Sequence, residues 1–484
     1  MLREKESLVL HVWHKFLGKP IVCFMIRRNV IVIWTILGIL ASVQGHETES
    51  LRHWEIASPD PDRIVLTWAG NPARTQAVSW RTDDSVENGY AEIALADPSS
   101  RFDLNAKRIK ANTQPLDIGQ HDQNVAVVAH FHSVVFKGLM PDTLYAYRVG
   151  NGDQRWSEWL QFRTASTKND PVEFLYFGDA QNAVLSHWSR IMRAAFQKAP
   201  YADFSIHAGD LINRAHRDQE WAEWFKAGGW AHGMIPSIVV PGNHEYDELT
   251  DAEQEKRLSL QWGPQFELPR YQDLPDILEE TVYYIDYQGV RIVAMNSNRE
   301  IEAQTKWLEK VLSKNPNRWT VLTFHHPIFS SGDGRDNSRN RDAWKPIIEK
   351  HGVDLVLQGH DHTYARGHVP IRMMDTASKS EIGPVYVNSV SGPKMYEFME
   401  GGWDVYRPEG VILDRKAENT QFFQVIRIEG MSLVYKAYMA NGELYDAFEL
   451  RKQKDGSRSM RDWAPDLGEE RLFENTLPYN REGM

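Results

Sequence analysis

The sequence predicts an all-β sandwich followed by an α/β layered domain, a β core flanked by helices. Three observations carry this. Residues 50–166 consist of short β-rich runs broken by turn residues. From Pro171 onward, apolar strand-like runs alternate with helical patterns. Five short blocks rich in Asp, Asn and His then recur at the ends of those runs, namely Gly178-Asp179, Gly209-Asp210, Gly242-Asn243-His244-Glu245, His325-His326-Pro327 and Gly359-His360-Asp361-His362.

Before the sandwich stands an address label. Arg27-Arg28 precede an apolar run from Val30 to Val43 that ends in small residues up to Gly45, the pattern of a signal peptide over residues 1–45. The run is short for a membrane span. Met25 offers a natural start, with residues 1–24 as an upstream extension. Cleavage would remove six basic and two acidic residues, shifting the formal charge from −11 to −15, and would remove the single cysteine, Cys23. The expectation is a secreted or periplasmic protein with no disulfide and no stable membrane span, held by its own core and by metals. The acidic balance argues against nucleic acid as a partner. The oligomeric state is not legible.

In the sandwich, Ile64–Trp68, Gln76–Trp80, Tyr90–Ile93 and His132–Phe136 read as strands. Leu139-Met140-Pro141-Asp142-Thr143-Leu144-Tyr145-Ala146-Tyr147-Arg148-Val149 resembles the corner of fibronectin type III domains, in which a Tyr ties a turn to the next strand. Residues 166–171 form the linker. The second domain, 171–450, alternates strand 174–177, helix 187–198, strand 204–207, helix 219–227, strand 237–240, a hairpin over 282–296, helix 303–313, strand 319–324, helix 343–350 and strand 354–357. Two further β runs, 422–428 and 433–438, are expected to complete a sheet edge. Residues 451–484 read as a polar tail. Trp221, Trp224 and Trp230 read as core.

Carboxylate, amide and imidazole donors at strand ends suit hard or borderline divalent ions and ferric iron. Any single Gly-Asp is a common turn, but five blocks together are not. In this order they resemble the metallophosphoesterase (calcineurin-like) superfamily, in particular its purple acid phosphatase-like branch with an N-terminal fibronectin type III-like domain. The resemblance implies Asp179 and His362 on a first metal, Asp210 bridging, and Asn243, His325 and His360 on a second. It implies His244 as the catalytic residue facing substrate, with Glu245 orienting its imidazole. His326, Tyr364 and Arg366 are further candidates for substrate or supporting contacts, and Arg335, in the Gly-rich loop 330–341, for a donor overhanging the metals.

Two positions depart from the family pattern. The purple enzymes carry a Tyr three residues after the second Asp, where this chain has Asn213, and other branches carry a His two residues after the first Asp, where it has Gln181. Gln181 and Asn213 are the candidate auxiliary ligands through an amide oxygen. The missing Tyr argues against purple colour and obligatory ferric iron, and leaves divalent Zn, Mn or Fe as the expected pair. The function implied is hydrolysis of a small-molecule phosphate ester by metal-activated water. Monoesterase, diesterase and a weakly catalytic surface-binding relative remain open. A zinc peptidase is excluded, because Asn243-His244-Glu245 lacks a second His four residues after the first.

Overall fold

A computed structural model describes residues 51–119, 126–249, 254–370, 382–455 and 457–478. The expected signal peptide, Met25 and Cys23 lie outside the described residues. Among those described, no helix is long and apolar enough to cross a membrane.

The N-terminal sandwich has two four-stranded antiparallel sheets. One runs Asp62–Thr67, Thr75–Thr82, Val127–Lys137, Asn112–Ile118, and the other Lys107–Lys110, Tyr90–Leu95, Leu144–Gly150, Leu160–Arg163. Leu66, Val78, Trp80, Phe136, Tyr147 and Phe162 fill the space between them. The corner expected from the sequence is present: the Met140 amide donates to the Tyr145 hydroxyl at 2.9 Å.

Two seven-stranded mixed sheets make the second layer pair. The first has the order Ser237–Val239, Phe204–His207, Val172–Phe177, Phe422–Glu429, Ser432–Met439, Leu444–Lys452, Arg458–Asp462. The second runs Tyr283–Tyr287, Val290–Ala294, Trp319–Thr323, Leu355–Gln358, Ile382–Asn388, Tyr364–Pro370, Ile412–Ala417. Strands 172–177, 204–207 and 237–239 are mutually parallel, as are 290–294, 319–323, 355–358 and 382–388. Being covered on both faces, they read as continuous apolar runs rather than alternating ones. Phe174, Tyr176 and Ile426 of the first sheet meet Ile285, Val321, Leu355 and Val387 of the second in one core. Helices Ile301–Ser313 and Ser338–Lys350 cover the outer face of the second sheet, burying Trp307, Leu308, Trp344 and Ile348 against Val293, Leu322 and Val356. In the first of these, Ile301, Gln304, Leu308 and Val311 recur at helical spacing on the buried side.

Three expectations needed correction. Strand 422–429 is not at an edge but pairs antiparallel with 172–177 in mid-sheet; a polar-flanked late strand gives no local sign of its partner. Among the described residues, 457–478 are not a loose tail. Strand 458–462 closes the sheet, and Arg458 donates to the buried Asp354 at 2.8 Å. Trp221 and Trp224 are buried in the core, but Trp230 is 51% exposed.

The sandwich is bolted to the second domain by charge. Arg63 and Arg81, on neighbouring sandwich strands, converge on Asp218 at the start of helix Asp218–Gly228, at 2.7 and 3.1 Å, and Arg81 also holds Asp62 at 2.6 Å. Asp218 and both guanidiniums are buried. Burial alone would raise the Asp218 carboxyl; the two arginines hold it below its usual value.

Candidate metal centre

All five blocks leave the C-terminal ends of parallel strands, where α/β sheets build sites. Asp179 follows strand 172–177, Asp210 follows 204–207, Asn243 follows 237–239, His325 follows 319–323, and His360 and His362 follow 355–358. The turns are tight. Asp210, His360 and His362 each adopt a left-handed backbone, with φ of 52°, 81° and 54°. Non-glycine residues rarely adopt it, and it concentrates at functional sites. Gly209 (φ 86°) and Gly242 allow the two loops to touch: a Cβ on Gly209 would lie 2.6 Å from the Gly242 nitrogen, and one on Gly242 would collide with the Asp210 carboxylate.

Asp210 faces two groups of donors. Asp210, His325 and His360 bring ligand atoms within 4.8 Å of one another, and so do Asp179, Asp210 and His362. On one side, His325 Nε2 lies 3.2 Å from Asp210 Oδ1, 3.2 Å from Asn243 Oδ1 and 3.2 Å from His360 Nδ1, which is itself 3.0 Å from Asn243 Oδ1. Four lone-pair atoms thus converge on one point. The opposite nitrogen of His325 donates to the Ala208 carbonyl at 2.9 Å, which leaves Nε2 as the free ligand atom. On the other side, His362 Nδ1 donates to the Lys394 carbonyl at 3.1 Å, leaving Nε2 3.9 Å from Asp179 Oδ1.

Gln181 lies in this second group. Its Nε2 is 2.7 Å from Asp210 Oδ2 and 3.1 Å from His362 Nε2, while its Oε1 is buried without a partner. Nitrogen and oxygen of an amide differ only by a half-turn. Reversed, the orphaned oxygen would become a fourth donor beside Asp179, Asp210 and His362, facing a cation. Asn213 meets the site through its backbone: its N–H donates to Glu220, and its carbonyl accepts from His244 Nδ1 at 2.6 Å.

The electrostatics call for positive charge. Burial pushes the Asp179 carboxyl well up, with the Asp210 charge adding to it and His325 opposing. Burial also works against Asp210, but His325 and His244 hold it well below the carboxylate range. His325 itself would lose charge by burial; Asp210 and Asp179 overcome this and push it up to about 9. His360 and His362 are driven down by burial and neighbouring cations, so both stay neutral and available as ligands. The donor set therefore fits two hard or borderline cations sharing Asp210.

The supporting residues fall out unevenly. His244 is part exposed, and its Nε2 lies 4.0 Å from Asp210 Oδ2. Glu245 does not orient it. Its buried carboxylate accepts the backbone N–H groups of Asp210 (2.9 Å), Leu211 (2.8 Å), Ile212 (3.4 Å) and Gly242 (2.6 Å), bracing two ligand loops at once. Successive side chains of a 3-10 turn such as Asn243–Glu245 point about 120° apart, so Glu245 and His244 face different surroundings. His326 packs against His360 with ring centroids 4.3 Å apart and the rings tilted by 48°, and it pairs with Ser297. Tyr364 and Arg366 are fully buried. They point into the protein, Tyr364 onto Asp446 at 2.6 Å and Arg366 onto Asp446, Asp414 and Asp462, because strand 364–370 carries alternate residues away from the site. Arg335 is held by Asp361 at 3.2 Å and donates to the His360 carbonyl at 2.7 Å. Asp361, between two ligand candidates, is fully buried and also accepts from Ser330 and Ser331.

Comparison with known proteins agrees with this geometry. The profile of the calcineurin-like phosphoesterase family matches residues 173–364, and that of the purple acid phosphatase N-terminal domain matches residues 61–164. The chain carries a calcineurin-like metallophosphoesterase domain behind a purple acid phosphatase N-terminal domain. It is 24% identical over 345 residues to probable purple acid phosphatase 20 of Arabidopsis thaliana, covering 69% of this chain and 74% of the relative. It is 21% identical over 407 residues to purple acid phosphatase 18 of the same plant, covering 80% and 85%. The fold of the yellow lupin seed purple acid phosphatase PPD1 superposes on 88% of this phosphoesterase and 78% of that chain, with a TM-score of 0.67 at 17% identity.

Lys394 and Tyr396 escaped the sequence reading. They lie in the loop after strand 382–388, which packs on the Asp179 turn through Gly392 N to Asp179 O at 2.6 Å. Neither residue type marks a metal block, and the only local signal was Ser391-Gly392-Pro393 at a strand end.

Proposed function

We propose that this phosphoesterase is exported and hydrolyses small phosphate esters at a two-metal centre. Asp179, Asp210, His362 and Gln181 would hold one ion, and Asp210, Asn243, His325 and His360 the other. The observation that carries this reading is the placement of Asp210, whose Oδ1 belongs to the His325 group and whose Oδ2 belongs to the Gln181–His362 group. When bound, two ions would supply positive charge for an in-line phosphoryl displacement and would lower the pKa of a water between these residues.

The chain's own residues do the rest. Glu245 ties the Asp210 and Gly242 turns together, so the two ligand sets cannot drift apart. His244, anchored through Nδ1 to the Asn213 carbonyl, turns Nε2 towards the site, where a proton can pass to the departing alkoxide. His326, held by Ser297, lines the His360 side and offers a donor to phosphoryl oxygens. Gln181 and Asn213 in place of His and Tyr favour divalent ions over ferric iron. The N-terminal pattern of residues 27–45 supports export.

The test is metal analysis of purified protein together with hydrolysis of an aryl phosphomonoester and an aryl phosphodiester. The expected result is two divalent equivalents, one lost in Asn243→Ala, and a fall in kcat of about 100-fold or more in His244→Ala with metal content intact. One equivalent or none, with both esters inert after divalent ions are restored, would sink the proposal.

A further inference from the structure

Beside the Asp179–His362 half of the centre, two loops present cations around one aromatic ring. Arg335 comes from the loop after His325, and Lys394 and Tyr396 from the loop after strand 382–388. The loops are pinned to each other by Met399 N to Ser331 O at 2.8 Å and by Asn388 to the Ser331 hydroxyl at 3.0 Å. The Tyr396 ring packs edge-on against the His362 ring at 4.8 Å. The Arg335 guanidinium lies 5.2 Å and the Lys394 ammonium 5.6 Å from the Tyr396 ring centroid. All three side chains are part exposed.

Two cations on one ring repel unless something negative balances them. Asp361 balances Arg335 through Nε, and Nη2 is spent on the His360 carbonyl. Nη1 has no hydrogen-bond partner among the described residues, and Lys394 Nζ has no carboxylate partner there. A loop brace explains the bound half of Arg335. It does not explain why an unpaired lysine stands over the same ring, one carbonyl away from a candidate ligand.

We propose that Arg335, Tyr396 and Lys394 form a ledge that binds the terminal oxygens of a phosphate monoester dianion and thereby selects monoesters over diesters. The proposal rests on the phosphoesterase reading above and names its substrate class. A diester carries one negative charge and has an organic group where a monoester has an oxygen, so it gains less from the ledge and must place that group against two cations.

The experiment uses the full chain loaded with two equivalents of divalent metal, and compares wild type with Lys394→Met, Lys394→Arg and Arg335→Met. Inorganic phosphate binding is measured by calorimetry, and kcat/KM is measured on an aryl phosphomonoester and an aryl phosphodiester. Lys394→Met keeps the aliphatic stem and should weaken phosphate binding about tenfold, about 1.4 kcal/mol. It should lower monoester kcat/KM by a similar factor, with diester kcat/KM changed less than about twofold. Lys394→Arg should restore both. Arg335→Met should go further, provided its metal content matches wild type. Unchanged phosphate affinity in Lys394→Met, or equal losses on both esters, overturns the ledge and leaves the phosphoesterase reading standing. A wild type that hydrolyses neither ester, but whose phosphate affinity falls in Lys394→Met and recovers in Lys394→Arg, upholds the ledge and removes the phosphoesterase reading.

Discussion

Glu245 shows how much a single residue can do without touching the chemistry. Four backbone N–H groups from two turns end on its carboxylate, which is buried beside Asp210. Burial and the Asp210 charge push its carboxyl up, while those donors pull it back towards the ionised form. Glu245→Gln replaces one acceptor oxygen by a donor and leaves at least one buried N–H unpaired. The expected loss is about 1–3 kcal/mol of stability with weaker metal retention, checked by urea denaturation and by dialysis against a mild chelator. Normal stability and two tightly held metals in that variant would show the brace to be dispensable. At the same scale, Asn213 in place of the family's Tyr leads us to expect no visible charge-transfer band in the metal-loaded protein. Absorption spectroscopy decides the point, and a strong visible band would require another phenolate ligand.

At the scale of elements, the helix Asp218–Gly228 is where sandwich and metal domain meet. Asp218 is the shared counterion of Arg63 and Arg81. Removing it would leave Arg63 buried without a carboxylate, although Arg81 keeps Asp62. Asp218→Ala should therefore cost about 3–5 kcal/mol, far more than an exposed ion pair. Chemical denaturation measures it. A loss below about 1 kcal/mol would mean that the two domains hold together without this ion pair, through apolar contact and the remaining hydrogen bonds such as Tyr147 to the Gly233 carbonyl. The same helix shows the limit of local reading: its Trp221 and Trp224 followed core periodicity, but no local feature of Asp218 marked it as the counterion of two arginines more than 130 residues away.

The whole molecule carries an acid liability. His207 and His232 are buried under the first sheet among Trp188 and Trp224, and His132 is buried in the sandwich between Thr82 and Thr113. Burial drives all three down, His132 and His232 from 6.5 to about 4, and His207 well below its usual value. Their folded values lie below their unfolded ones, so the unfolded chain binds more protons between pH 6.5 and 4. Stability is fully present above 6.5 and is lost as pH falls through that window. Each of the two quantified histidines costs up to about 3 kcal/mol by pH 4. Buried carboxyls such as Glu280, pushed up to about 7 by burial, act in the opposite sense over the same window, so the test is a comparison: in urea denaturation from pH 7.5 to 4, wild type should lose stability more steeply than His132→Gln, by up to about one proton. Equal slopes would mean that His132 charges freely in the folded state.

The order of the five blocks and their positions after apolar runs were enough to read the superfamily, the layered fold and the six Asp, Asn and His candidates, because strand ends converge whatever the loops do. The Tyr145 corner was legible for the same reason: its hydrogen bond spans five residues. What the sequence left open depended on contacts between distant segments. Only the tertiary structure turned Glu245 onto two backbone turns, aimed Arg366 and Tyr364 into a buried acidic cluster, placed strand 422–429 in mid-sheet and brought Lys394 and Tyr396 beside His362. Local patterns declare which face of an element is buried and where a turn falls. They do not declare which distant element fills the other side, and specificity is decided there.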